Sequence, residues 1–226
     1  KQLMKAILTL CITSLFLGTV ISGCVGDGFK TNNDEITLSS PTWTKSDFWE
    51  YSVKTSNLEV STTMVVATDD DATDYYVGTG SLEDAKRHAV LNHNPALGRV
   101  QISDFAIYEN NQPQKIIDFP LKVSKSWSFS LYGEDEFVAS VIDINNGKAE
   151  ISAVSDSGAR LSYIFSQDAR WLSYFEFINE NGEANLVMEL ANYGTGFTGN
   201  AYFCRGGDLY DKEFEGPDLE VYDTVF

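Results

Sequence analysis

Apolar and polar residues alternate with a period of two along most of the chain from Thr42 onward. Such alternation is typical of strands that bury one face and leave the other in water. The clearest run covers residues 126–132, where every second side chain is Trp, Phe or Leu, and residues 58–66, 161–165 and 186–190 repeat the pattern. Trp171–Ile178 is apolar at nearly every position, so we expect it to be a central strand.

Short polar segments separate these runs and predict tight turns. They are rich in Asn, Asp and Gly and lie at residues 110–111, 133–135, 145–147, 156–158 and 179–182. Asn-Gly supplies the positive φ values that a tight hairpin needs. A spacing of roughly 10–13 residues between turns predicts consecutive hairpins and hence a large antiparallel sheet. Near Ser103 and Asp104 the alternation shifts phase, which predicts a β-bulge.

One segment has helical spacing instead. Ser81 fits an N-cap, an acidic first turn follows, and the apolar residues after it recur at helical intervals. The helix should end by Asn94, because Pro95 disfavours helical geometry at the residue before it. The predicted fold class is mainly β, with a large bent antiparallel sheet of half-barrel or sandwich-like type and one short helix.

The N-terminal residues 1–23 predict an export signal. Lys1 and Lys5 precede an uncharged, largely apolar run that extends to Ile21. The run ends in Ile-Ser-Gly-Cys, which resembles the lipobox of prokaryotic lipoproteins and makes Cys24 the predicted lipidation site. Two acyl chains on that cysteine would hold the protein stably on a membrane. The alternatives are an ordinary signal peptide followed by a chance cysteine, or an uncleaved anchor.

The predicted domain organisation follows from this. Residues 24–41 are polar and predict a lipidated cysteine with a flexible tether, and residues 42–226 predict a single β-rich domain. Cys204 would be the one remaining cysteine of the mature chain besides Cys24, so no internal disulfide is expected. We therefore expect the domain to sit outside the cytoplasm, at the cell surface or in the periplasm, and to be stabilised by its own core.

The charge excludes one class of partner. The chain has a formal net charge of −17 at pH 7, and residues 1–23 hold two Lys and no acidic residue. Such a surface repels phosphate backbones, so nucleic acid is not an expected partner. Apolar residues at 43% and aromatic residues at 13% are sufficient for a packed core.

Two motifs resemble a known group of proteins. Residues 95–98 (Pro-Ala-Leu-Gly) and residues 118–127 (Asp-Phe-Pro-Leu-Lys-Val-Ser-Lys-Ser-Trp) are similar to a group of little-characterised prokaryotic envelope lipoproteins with an FPL-x-x-[GS]-x-x-W signature. These are similar in fold to half-barrel carriers of the LolA/LppX type. Ser124 stands where this signature favours glycine. The resemblance implies a β-rich shell with an apolar interior that can hold lipid, and it implies no catalytic residues.

Several aromatic side chains are candidate ligand contacts. Trp49, Trp127, Trp171 and Phe175 lie on predicted strands and could line a pocket for a lipid or another apolar ligand. The alternative is that they form the core of the sheet, which is the commoner role of aromatics on alternating strands.

Two acidic segments are candidate cation sites. Asp69, Asp71 and Asp74 are part of the densest carboxylate run, and calcium binds six to eight such oxygens, so weak Ca²⁺ binding is a hypothesis. The run lacks the glycine and distal glutamate of an EF-hand loop, and a solvated hairpin tip is the alternative. The acidic residues from Asp208 to Glu220 predict an exposed strand or tail. No other cofactor is expected.

The residues offer little for catalysis. His88 and His93 are the two imidazoles of the chain, and no Gly-x-Ser-x-Gly elbow is present. We therefore expect a membrane-anchored, non-enzymatic protein that binds an apolar ligand or lipid. A structural or adhesive module of an envelope complex is the first alternative, and a hydrolase with an unrecognised carboxylate site is the second.

Overall fold

The computed structural model describes the residues 36–68, 75–81, 100, 103–109, 112–133, 136–206 and 219–224. Within these ranges the protein is mainly β and contains no helix, so the predicted fold class is confirmed in its main feature, a large antiparallel sheet. The predicted short helix falls on residues 82–94, which lie outside the described ranges.

In the described part of the chain, fifteen strands form in chain order. They are β1 (Thr37–Leu38), β2 (Phe48–Thr55), β3 (Glu59–Thr68), β4 (Tyr75–Thr79), β5 (Ile107–Glu109), β6 (Gln112–Gln114), β7 (Leu121–Lys122), β8 (Ser126–Ser130), β9 (Glu136–Asn145), β10 (Lys148–Ser155), β11 (Arg160–Ser166), β12 (Trp171–Ile178), β13 (Ala184–Gly194), β14 (Ala201–Gly206) and β15 (Leu219–Thr224).

Eleven of these strands form one sheet, in the order β15-β14-β4-β3-β2-β13-β12-β11-β10-β9-β8. From β8 to β13 each strand pairs with the next one along the chain, as the predicted succession of hairpins requires. The last of them, β13, then pairs antiparallel with β2, which joins strands far apart in the sequence in one sheet. Among these described strands, all pairings are antiparallel except that of β14 with β15.

The β9–β10 hairpin shows how the sequence determines a turn. Asn146 and Gly147 alone connect the two strands, with φ values of 49° and 70°. Positive φ at both central residues matches the right-handed twist of the strands, and Asn-Gly is the pair that adopts it at the lowest cost. The predicted turn at this position is therefore confirmed.

The core lies on one face of the large sheet, which we call the inner face; it carries Val53, Val141, Tyr163 and Phe175. Segments outside the sheet cover this face with buried apolar side chains: Leu38, Trp43, Val100, Phe105, Ile107, Ile116, Ile117 and Leu121. The Tyr163 hydroxyl donates to the carbonyl of Ile116 at 2.6 Å and so fixes the cover to the sheet. Covering segments therefore fill much of the inner face with the protein's own side chains.

A smaller cluster lies on the opposite, outer face at β2 and β3. Val65 and Ala67 pack there with Ala201, Phe48 and Phe197. Because Val65 and Ala67 alternate with Met64 and Val66 of the inner core, β3 is apolar on both faces. The chain after β13 covers this part of the outer face.

Two sequence predictions change at the covering segments. The predicted bulge at Ser103 and Asp104 is wrong: Val100 forms an antiparallel bridge with Ile107, so the chain reverses there. The Asp104 carboxylate accepts from the Ala106 N–H at 2.9 Å, an Asx-type turn that the alternation pattern does not reveal. Leu38, inside the predicted tether of residues 24–41, is buried in the core, so the packed part of the chain begins before Thr42.

Candidate functional site

Three of the four aromatic residues proposed as ligand contacts lie in the core. Trp49, Trp171 and Phe175 are each fully buried on the inner face. Trp171 contacts Trp43 at 4.8 Å between ring centroids, and Phe175 contacts Tyr163 at 5.9 Å. These three residues therefore have the surroundings of core side chains.

Trp127 differs from the other three. It lies on β8, the edge strand of the large sheet, and is half-buried against the inner core. Its indole nitrogen is buried and has no hydrogen-bond acceptor within the described part of the chain. Among the four candidates, this is the residue that combines a partly exposed ring with an indole N–H that lacks an acceptor among the described residues.

The large sheet opens between β12 and β13, and aromatic donors fill the opening. The pairing of these strands ends at Tyr174 and Glu189, after which β12 continues along β11 and β13 continues along β2. Trp49 donates to the carbonyl of Ala169 at 2.6 Å, and Trp43 donates to the carbonyl of Arg170 at 2.8 Å. Buried carbonyls that the sheet cannot pair thus receive hydrogen bonds from side chains.

A buried ion pair closes the same opening. Asp47 is fully buried, and its Oδ2 accepts from the Arg170 guanidinium and from the Thr44 N–H, each at 2.7 Å. The guanidinium also donates to the carbonyl of Thr42 at 3.2 Å. Arg170 has φ of 62°, a conformation that costs energy for a side chain other than glycine, and its contacts hold it there. We call this group of residues the Asp47–Arg170 clasp.

Burial keeps the core phenols neutral. It raises the pKa of Tyr51 and of Tyr163 well above 10.0, because the phenolate would lose its hydration. Both hydroxyls therefore donate, Tyr51 to the carbonyl of Leu172 at 2.7 Å and Tyr163 to that of Ile116. On the outer face, partial burial and then the charges of Glu176 and Glu189 raise the pKa of Tyr174. These shifts have structural causes and indicate no acid–base chemistry.

The outer face of β8, β9 and β10 carries an uncharged patch that the sequence reasoning missed. Ser126, Ser140 and Ser152 pair across these strands in one row, and Ser128, Val138 and Val154 pair in the next. Val138 is 53% exposed, Val154 is 47% exposed, and Ile142 beside them is 56% exposed. We call these seven residues the serine–valine patch. The sequence indicates this patch by valines at positions where the alternation calls for polar residues. Periodicity alone does not distinguish such exposed valines from those of a strand that is buried on both faces.

Residues 118–125 of the second motif lead into β8, whereas residues 95–98 of the first motif lie outside the described ranges. The Lys125 ammonium binds the Asp118 carboxylate at 2.7 Å and also donates to the carbonyls of Asp118 and Pro120. Ser124 has φ of 67°. Glycine adopts such a positive φ at lower cost than a residue with a Cβ.

The remaining site predictions lie outside the described ranges. These are the lipidation site Cys24 and the speculative calcium ligands Asp69, Asp71 and Asp74. Within the described ranges, no group of three or more His, Cys, Asp or Glu side chains is placed to hold a metal ion. Nor does that part of the chain contain a helix long and apolar enough to cross a membrane.

Comparisons with known proteins give no relative for this chain. No protein family, no curated protein and no solved structure matches it.

Proposed function

We propose that the protein is a lipid-anchored, extracytoplasmic and non-enzymatic interaction module of the cell envelope. In this proposal the inner face of the sheet is core, and the serine–valine patch on the outer face contacts a partner. The anchor is the lipid on Cys24, which the lipobox-like sequence before it supports.

The observation that carries the proposal is the burial of the inner aromatic side chains. Trp49, Trp171 and Phe175 are fully buried against other side chains of the chain and its covering segments. A carrier needs an inner surface that a lipid can occupy, and these three residues are already in contact with protein. The exposed Val138, Ile142 and Val154 lie on the outer face instead, where contact with a partner would remove them from water.

The carboxylates support a non-enzymatic function. Asp47 is the one fully buried carboxylate within the described ranges, and Arg170 neutralises it. A hydrolase that relied on carboxylates would need a pair of them at one reacting bond. The clasp instead joins the start of β2 to the β11–β12 turn, which is a structural task.

Fatty-acid labelling combined with lipid extraction tests the proposal. The full chain should incorporate labelled fatty acid and reside in the membrane fraction, and Cys24→Ser should abolish both. Organic extraction of the purified Cys24→Ser chain should then yield no stoichiometric lipid. A lipid bound at one molecule per chain in that variant would support a carrier and contradict the module.

Trp127 favours a second candidate function, the binding of an apolar ligand that carries a hydrogen-bond acceptor. Leaving a buried indole N–H without an acceptor costs about 1–3 kcal/mol, which a ligand carbonyl or carboxylate would recover. Native mass spectrometry of the full chain tests this. A bound mass that Trp127→Phe loses and Tyr193→Phe retains would support the ligand, and no bound mass in either would exclude it.

A further inference from the structure

Edge strand β8 has an exposed side. Its residues Ser126 and Ser128 are exposed, while Trp127 and Phe129 face the core. The strand lies at one end of the large sheet and pairs with β9 on its other side. Strands of this kind can pair with a strand from another chain.

The hydrogen bonds show which backbone groups of β8 point outward. The Val141 N–H donates to the carbonyl of Lys125, so the backbone polar groups of Lys125 face β9. Because backbone groups alternate in direction along an antiparallel strand, the N–H and C=O groups of Trp127 and Phe129 also face β9. Consistently, the Ser130 N–H points away from β9 and donates to the Gln114 side chain at 2.7 Å. The N–H and C=O groups of Ser126 and Ser128 therefore also face away from β9.

The usual protections of an edge strand are weak here. Residues 126–130 contain no charged residue and no proline. Lys125 lies just before them, but its ammonium is turned back onto the Asp118 carboxylate, and its side chain is 18% exposed. Charged residues and prolines are the means by which edges commonly avoid pairing, so their absence leaves β8 able to accept a strand.

We propose that a second copy of this chain pairs with β8 in antiparallel register centred on Ser128. In that register Ser128 faces Ser128 of the other copy, and Ser126 faces Ser130, whose N–H would exchange its bond to the Gln114 side chain for one to the Ser126 carbonyl of the other copy. The inference rests on the proposed function as an interaction module and adds a contact at the strand edge beside the serine–valine patch. A two-fold axis through Ser128 leaves the side-chain pattern unchanged, since serines meet serines on the outer face and Trp127 meets Phe129 on the inner face.

Charge favours a second copy at this edge over other surfaces of the same molecule. Two chains of net charge −17 repel each other, so they can approach only where each is locally uncharged. Strand β8 and the adjoining serine–valine patch are uncharged. At the opposite edge, β15 contains Glu220 and Asp223, and pairing two such strands would bring acidic residues close together.

The proposed anchor makes a small contact sufficient. One strand pair buries less surface than the roughly 1,200–2,000 Å² of a stable interface. However, two copies held in one membrane meet at a raised effective concentration, which strengthens a weak contact without additional surface. Pairing should therefore be stronger on the membrane than in solution.

Disulfide trapping in the full chain tests the register. In a Cys11→Ser and Cys204→Ser background, Ser128→Cys should give a disulfide-linked dimer on membranes under mild oxidation. Residues that exchange both hydrogen bonds lie ~5.5 Å apart between Cα atoms, within disulfide range. Ser162→Cys is the matched control, because it is exposed on the same face three strands from the edge and should give no such dimer.

Two mixed variants make the test specific. Ser126→Cys and Ser130→Cys chains should cross-link when they are coexpressed and not when each is expressed alone. Ser128→Glu should abolish cross-linking of that coexpressed pair, whereas Ser162→Glu should leave it unchanged. Maleimide labelling checks that every introduced thiol is reactive.

The outcomes separate this inference from the proposed function. Ser128→Cys that links no more than Ser162→Cys, in a chain that is labelled with fatty acid and bound to membranes, would overturn the pairing and leave the proposed function intact. A chain without label or membrane association would overturn the proposed function. The same cross-links, measured on that chain in concentrated solution, would then decide the pairing by themselves.

Discussion

Ser124 illustrates how a single backbone conformation sets a residue preference. Its φ of 67° costs a residue with a Cβ about 1–2 kcal/mol, and glycine avoids that cost. Glycine also loses more entropy on folding, by roughly 0.5–1 kcal/mol relative to alanine. We therefore predict that Ser124→Gly stabilises the protein by about 0.5–1 kcal/mol, measured by urea unfolding of the full chain.

The control for this prediction is Ser126→Gly, two residues further along. Ser126 lies in an extended strand, and its hydroxyl donates to the carbonyl of Ala139 at 2.6 Å. Glycine there should destabilise the protein by about 1 kcal/mol. Equal effects of the two substitutions would show that backbone strain at Ser124 is not the cause.

The sequence could indicate some of these residue conformations and not others. Asn146 and Gly147 were predictable because Asn tolerates positive φ and Gly, which has no Cβ, adopts it without steric cost. Phe105 and Arg170, with φ of 56° and 62°, were not predictable, since tertiary contacts such as the bond of Arg170 to Asp47 hold them. The Trp127 position on an edge strand was likewise hidden, because strand order is not a property of the local pattern.

At the scale of elements, the Asp47–Arg170 clasp joins the start of β2 to the β11–β12 turn, more than a hundred residues apart in sequence. Removing one partner of a buried ion pair leaves the other uncompensated, which costs about 3–5 kcal/mol. We predict that Asp47→Ala destabilises the protein by about 3 kcal/mol. This value is at the lower end of the range, because Arg170 is 28% exposed and water can partly solvate its charge.

A double-mutant cycle measures the coupling of the clasp. Arg170→Ala should also destabilise, and the double variant should lose clearly less than the sum of the two single losses. Lys54→Ala with Glu59→Ala is the matched control, since that pair lies at 3.8 Å with both side chains exposed and should show weak coupling. Additive effects at Asp47 and Arg170 would contradict the clasp.

The elements themselves were the most predictable part of the fold. The hairpins between β9 and β13 follow from alternation and turn residues, which act locally, and Trp171–Ile178 has the predicted bounds and a central place in the sheet. The pairing of β2 with β13 and the covering segments are non-local, and many such arrangements satisfy the same pattern. The candidate site followed the same division: the sequence identified the aromatic residues and gave core as their commoner role, but only the non-local covering segments decide between core and ligand contact.

At the scale of the whole molecule, the buried phenols make stability depend on alkaline pH. Burial raises the pKa of Tyr51 and Tyr163 above 10.0, so the unfolded chain loses these protons first as the pH rises. Their contribution to stability is complete below pH 10 and declines above it, by up to ~1.4 kcal/mol per group and pH unit.

We therefore predict that the free energy of unfolding falls between pH 10 and pH 11.5 and that Tyr163→Phe makes this fall less steep. Urea unfolding at several pH values measures both slopes. Tyr193→Phe, at an exposed position, should leave the slope unchanged. A wild-type slope identical to that of Tyr163→Phe would mean that other groups cause the alkaline loss of stability.

The net charge of −17 leads to a prediction about salt. Repulsion among the acidic groups opposes the compact state, and dissolved ions screen it, so the melting temperature should rise as NaCl increases from 0.05 to 1 M.

A comparison of calcium with magnesium distinguishes such screening from specific cation binding at Asp69, Asp71 and Asp74. If these carboxylates form a solvated hairpin tip, 10 mM CaCl₂ should give the same melting temperature as MgCl₂ at equal ionic strength. A calcium site with a dissociation constant of ~1 mM would instead add about 1.4 kcal/mol at that concentration. We expect no difference between the two salts, and a calcium-specific increase that is lost in the triple Asp→Asn variant would contradict this and support the cation site.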